Sequence, residues 1–417
     1  MAKAASHCWS VFKNKSQYRL LFLTLLLVSL VLITFILIKP TTLELAKFID
    51  KPSSNEELST PVNQQYIQDL QTKLYKHPNN VQFATQLARY YLQQSKQKAG
   101  ERELYLYLAK DTLQPWWNQS NPPLEVLSLR AHLYQAQHQF SLARADLKQL
   151  LEAKPHHANA AFSLAMLQQI QGDYTLALQS CKSLLNSRQL ILSSLCQASV
   201  QSVNGQAQRA YKVLKILLAK MSADDNWKQW TLSAMADIAN RLGKPQAAEQ
   251  YYQQALAIPS QDAYLKVRYA DFLLSQQRAA DLLQHFSAIA QDKQLLLRQA
   301  YAAQLLNKTQ DIQRYAGYLS RELISKPQQE QKNNEQSQHP AMLAYYYLHI
   351  NKQPDTALFF AKMNWKKQKS NEDLHLLLQA ALVTQDNKVL EMVTKWREKT
   401  ALEDIALTHL LSIKKLL

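Results

Sequence analysis

The chain has 417 residues, 47% of them hydrophobic, with a net charge of +16 and only five glycines. So few glycines argue against folds built on Gly-rich phosphate loops or tight hairpin turns, which need positive φ or close backbone approach. The apolar content suffices for a buried core and argues against wholesale disorder. The spread of Lys and Arg, without a dense run interleaved with aromatics, argues against nucleic-acid binding.

Residues 1–19 form a short basic tail, followed by an uncharged, mostly aliphatic run from Leu20 to Ile38. As a helix rising about 1.5 Å per residue, that run spans roughly 29 Å, close to the hydrocarbon thickness of a bilayer. A cleaved signal peptide would have a shorter apolar core followed by a small-x-small site. Here Lys39-Pro40-Thr41-Thr42 follows, so the pattern predicts an uncleaved transmembrane anchor. Lys3, Lys13, Lys15 and Arg19 precede the run with no acid, whereas Glu44, Asp50, Glu56 and Glu57 offset the lysines after it. The positive-inside rule then puts the N-terminus in the cytoplasm. In a bacterium this makes a single-pass inner (cytoplasmic) membrane protein with a periplasmic body; in a eukaryote the body would be lumenal. Residues 39–63, with Pro52 and Pro61, read as a linker.

From residue 64 onward apolar residues recur at helical spacing and no strand-like alternation is present. A repeat runs through this body. Ala131 and Ala143 stand twelve residues apart, as do Ala165 and Ala177, Ala198 and Ala210, and Ala236 and Ala248. Gly172, Gly205 and Gly243 each fall five residues before the second alanine, where a glycine ends one helix and begins a turn. Small residues let paired helices approach closely, and Pro155 and Pro259 close units because proline cannot continue a helix interior.

These segments resemble the tetratricopeptide repeat (TPR) family, most clearly from Ala161 through Gly172 to Ala177 and from Gly243 to Ala255. The resemblance implies an all-α fold, a TPR-like α-solenoid of antiparallel helix pairs, here preceded by one transmembrane helix. It spans 64–325 and is clearest over 124–259. Residues 93–122 read as an insertion, 326–340 as a polar loop, and 341–417 as degenerate C-terminal repeats or a cap.

No catalytic or metal-binding motif is recognisable, which argues against an enzyme and against any cofactor. His156 and His157 read as solvent-facing turn residues rather than metal ligands. Cys181 and Cys196 fall on adjacent predicted helices, where a disulfide and two small buried thiols both fit. The family's geometry places Asn159, Phe162, Ser163, Met166 and Gln169 on a concave groove, with Trp230, Ser233, Asp237 and Arg241 in a later unit. That mixture suits a peptide or helical segment of a protein partner and offers no site for a small-molecule substrate. Trp116 and Trp117 form either a second interface or a packing contact with the neighbouring pair. Two functions fit: an anchored scaffold for assembly of a cell-envelope complex, or a chaperone-like holder of client proteins near the membrane. An enzyme with an unrecognised site is the weaker alternative.

Overall fold

Antiparallel helix pairs account for nearly all of the computed structural model, which describes residues 61–187, 190–222, 225, 227–259, 262–323 and 339–413. Among the described residues there is no strand, and no helix is long and apolar enough to cross a membrane. The expected anchor at Leu20–Ile38, most of the 39–63 linker and the 326–338 stretch lie outside the described residues. The helix pairs belong to the compact unit Gln68–Leu417.

The helices are α1 (Pro61–Lys76), α2 (Val81–Gln97), α3 (Arg102–Thr112), α4 (Leu124–Ala136), α5 (Phe140–Ala153), α6 (Ala158–Ile170) and α7 (Tyr174–Ser183). Then come α8 (Leu190–Ser202), α9 (Ala207–Leu218), α10 (Lys228–Arg241), α11 (Pro245–Leu256), α12 (Ala263–Ser275) and α13 (Ala279–His285). The chain closes with α14 (Lys293–Leu305), α15 (Thr309–Leu323), α16 (Pro340–Tyr345), α17 (Pro354–Lys367), α18 (Asn371–Thr384), α19 (Asn387–Thr400) and α20 (Ile405–Ile413). Polar side chains start many of them. Asp262 accepts from the Tyr264 and Leu265 amides, and Ser370 with Asp373 forms a reciprocal capping box. Pro245, Pro340 and Pro354 occupy first-turn positions, where the missing amide costs nothing.

Every pair from α4/α5 to α18/α19 turns on a residue in the left-handed region. Gly172, Gly205 and Gly243 serve three of these turns, and His138, Gln277, Asn307, Lys352 and Gln385 the others. At most of them an amide reaches back five residues, as from Asp173 to the Gln168 carbonyl, satisfying a helix-terminal acceptor. The paired alanines, 131/143, 165/177, 198/210 and 236/248, are all essentially inaccessible to water. Each stands where a larger side chain would push the two backbones apart.

One expectation is corrected and two open ones are narrowed. Residues 93–122 are no insertion, because α3 packs antiparallel on α2 as the second helix of an ordinary pair. Trp116 and Trp117 are 7% and 8% exposed, which selects the packing contact of their two readings. The Arg130 guanidinium, bidentate to Asp146 at 2.8 Å, donates also to the Trp117 carbonyl at 2.6 Å and pins this turn to α4 and α5. Of the two readings of 341–417, degenerate repeats fit better than a cap alone, since residues 340–400 make two helix pairs. The Lys369 amide donates to the Ile170 carbonyl at 2.7 Å, Glu403 accepts from the Ala207 amide, and Gln368 meets His138. The segment 368–405 therefore lies along the turn edge of four earlier units, those turning at 138, 172, 205 and 243.

The two thiols that sequence left open are joined. A Cys181–Cys196 disulfide, with Cα atoms 5.4 Å apart, links α7 to α8 within the buried cluster of Ala161, Ala165 and Ala177.

Candidate functional site: the inner face of the first helices

Within this stack α6, α8, α10 and α12 are successive first helices. Side chains from α6 and from the start of α10 meet across the intervening α8. The Phe162 ring lies 5.0 Å from Trp227 and 6.1 Å from Trp230, and the two indoles lie 6.2 Å apart, nearly perpendicular. Only the inner side of a curved array brings alternate first helices within reach, so this trio sits on the concave face. All three rings are half-buried, leaving an apolar, partly accessible surface with edge-to-face contacts that hold each ring in place.

The nine groove residues expected from sequence divide. Phe162 and Trp230 come together in the trio. Met166 packs beside it on the Cys181–Cys196 cluster, and Trp227 joins the same contacts. Asn159 is exposed, Ser163 and Ser233 are half-buried, and Gln169 accepts from the Ser199 hydroxyl at 3.1 Å. Asp237 and Arg241 do not offer free groups to a partner. Arg268 holds Asp237 at 2.9 Å, and the Tyr252 hydroxyl donates to the same carboxylate. Arg241, 8% exposed, donates to the Ser202 carbonyl at 2.6 Å and to its hydroxyl at 3.1 Å. Once buried, a guanidinium must have its donors satisfied internally.

Sequence reading missed Trp227, which precedes the first helical turn of α10, where Asp225 accepts from its amide at 2.8 Å. It also missed the charged half of the inner face, because no local pattern connects residues a hundred positions apart. There Arg268 bridges Asp237 to Glu372 of α18 at 2.7 Å, and Arg298 holds Asp271 at 2.8 Å while its guanidinium lies over the Tyr345 ring, 4.2 Å from its centre. Burial alone would raise the Glu372 carboxyl, but the charge of Arg268, hydrogen bonds from its own backbone amide and Ser370, and the charge of Arg241 together hold the group below its ordinary value. Tyr264 remains 59% exposed, although surrounding protein pushes its phenol up. A cleft of about 480 Å³ opens where α10 meets α19 and α20, between Arg241, Arg397, Glu403 and Asp404.

Among the described residues no group of three His, Cys, Asp or Glu side chains converges as a metal site. His157 caps α6, its Nδ1 accepting from the Ala160 amide at 3.2 Å.

Stacked antiparallel helix pairs with small residues at their crossings define an α-solenoid of the helix-pair repeat class. Family models described as tetratricopeptide repeat match residues 128–189 and 231–262. The chain carries tetratricopeptide repeats over these residues. No curated protein matches the sequence. Solved structures with similar architecture include a tetratricopeptide repeat protein from Parabacteroides merdae, 19% identical, covering 57% of this chain and 85% of its own, at a TM-score of 0.40. A thermophilic TPR protein of Thermus thermophilus is 23% identical over 45% of this chain and 99% of its own, at 0.36. Human IFIT1, as a dimer with m7Gppp-AAAA, is 13% identical over 83% of this chain and 84% of its own, at 0.41.

Proposed function

We propose that this protein is a membrane-anchored scaffold that binds a segment of a protein partner on its concave face, in the assembly of a cell-envelope complex. Tetratricopeptide repeats as a class mediate protein–protein interaction, and that much follows from the family. The observation that carries the finer reading is the Phe162–Trp227–Trp230 trio: rigid aromatics, partly accessible and ordered by one another, on the face that curvature makes concave. Such residues dominate binding energy at interfaces because they bury large area at small entropic cost. Leu20–Ile38 supports the anchor. The Cys181–Cys196 disulfide supports a body outside the cytoplasm, since such bonds persist in oxidising compartments.

The test is crosslinking in cells of the tagged full-length chain, followed by purification and identification of what accompanies it, in parallel with Phe162→Ala/Met166→Ala/Trp230→Ala. A partner set present in stoichiometric amount with wild type and lost from the variant supports the scaffold. Transient recovery of many unfolded clients instead favours the chaperone-like reading. Identical recovery from both proteins moves the interface off the concave face.

A further inference from the structure

The turn edge of units 158–218 is covered by the chain's own segment 368–405, whereas the opposite edge and outer face of the same units carry, among the described residues, an unusual set of exposed side chains. From Tyr174 to Ala223 the sequence holds no Asp or Glu. Lys182, Arg209, Lys212, Lys215 and Lys220 within this stretch are all exposed, and none makes an ion pair among the described residues. On α9 Arg209, Lys212 and Ile216, continued by Lys220 just past the helix end, follow helical spacing on the side away from the buried Ala207, Ala210 and Leu214.

Aliphatic side chains lie on the same edge. Leu185 follows α7, Leu190 and Ile191 begin α8, and Ile216 stands near the end of α9, so all four belong to the edge opposite the glycine turns. Leu190 is 67% and Ile216 60% exposed. Leaving them in water forgoes the gain from covering apolar surface, so their concentration beside cations that make no ion pair among the described residues marks a contact surface.

We propose that this face, the outer side of α9 with the adjoining ends of α7 and α8, docks on the surface of an anionic lipid bilayer. Composition selects the occupant. Protein interfaces are depleted in Lys and enriched in Tyr, Trp and Arg. Here four of the five cations among the described residues are lysines, and the apolar residues are Leu and Ile, the pattern of surfaces that lie in the headgroup region with lysines extended to phosphates. Each cation near an anionic surface is attracted to it, and the aliphatic side chains add their own burial. The proposal rests on the anchor reading only in that Leu20–Ile38 keeps a bilayer within reach. Docking would fix the body against the membrane with the concave trio on another side.

The test uses the full-length chain with Cys8→Ser and Ile216→Cys, the new thiol carrying an NBD fluorophore, reconstituted into vesicles of phosphatidylcholine alone or mixed with phosphatidylglycerol. Vesicle flotation after alkaline extraction reports insertion separately, so a failed anchor and a failed docking face are told apart. The expected result is an NBD intensity at least about twofold higher in the anionic vesicles, lost near 1 M salt, where the screening length is about 3 Å. It is lost also in Arg209→Gln/Lys212→Gln/Lys215→Gln/Lys220→Gln, whose exposed positions leave the helical circular dichroism unchanged. Equal intensity in both vesicle types, or an unaffected quadruple variant, overturns the proposal. So does a signal that appears only when polyglutamate is added, which would assign the face to an acidic protein.

Discussion

Gly172 and Trp396 meet so closely that a Cβ on the glycine would stand 2.5 Å from the indole Cη2. Gly205 stands in the same relation to Ala401, with a Cβ only 2.8 Å from the alanine methyl, and Gly243 to Ile405 at 3.1 Å. The glycines at these turns therefore answer two demands at once. Each takes a left-handed conformation, φ between 70° and 81°, and each leaves room for the C-terminal segment on the turn edge.

Gly172→Ala should accordingly destabilise by roughly 2–4 kcal/mol, combining left-handed strain with displacement of Trp396, which itself packs on Trp365. Gly243→Ala should cost less, about 1–2 kcal/mol, because the terminal methyl of Ile405 can rotate aside. Gly317 is helical with open space around it, so Gly317→Ala should gain about 0.5–1 kcal/mol. Urea unfolding of the three variants orders them. A double-mutant cycle of Gly172→Ala with Trp396→Ala should show a penalty smaller than the sum of the two; strict additivity would mean the two residues do not meet.

Arg130 and Asp146 form an ion pair with both side chains 7% exposed. Arg130→Met should cost about 3–5 kcal/mol, since it strands a buried carboxylate and frees the Trp117 carbonyl. Arg130→Met/Asp146→Leu should recover part of that loss. If the single variant unfolds at the wild-type urea concentration, the pair is not buried as described.

His349 sits between Tyr301 and Tyr345, with ring centres 4.5 and 4.4 Å away. Burial, then the charges of Arg298 and Lys352, push its imidazole down to about 3. An unfolded imidazole takes its proton near 6.5, so the unfolded chain binds a proton that the folded one refuses. Stability is full above pH about 6.5 and falls as pH drops toward 3. His132, His138 and His339 are shifted the same way by burial. His349→Phe should therefore shrink the fall in melting temperature between pH 7 and 4 without abolishing it. An unchanged slope would contradict the buried neutral imidazole.

Legibility in the sequence follows the range of the interactions. The alanine pairs and turn glycines could be read because a helix crossing and a left-handed turn are each set by residues within a dozen positions. The αL residues His138, Gln277, Lys352 and Gln385 hid most of the remaining turns, since nothing in their chemistry announces positive φ as glycine does, and Asn307 signals it only weakly. Repeat geometry singled out Phe162 and Trp230, whose rings the structure brings within 6.1 Å of each other. Arg241 misled because a cation on that face reads as solvent-facing until Ser202 is known to hold it. The contacts of Gln368, Lys369, Trp396 and Ile405 with the turn edge join segments 150 or more positions apart, beyond any local pattern.

Whether the inner aromatic trio takes a protein partner is tested most directly by placing a benzophenone amino acid at position 230 of the full-length chain and irradiating living cells. The expected result is one or a few discrete heavier species that carry this chain, reduced by Phe162→Ala and absent when the same probe replaces the outward-facing Gln246. Equal crosslinking from both positions, or none from position 230, would contradict it.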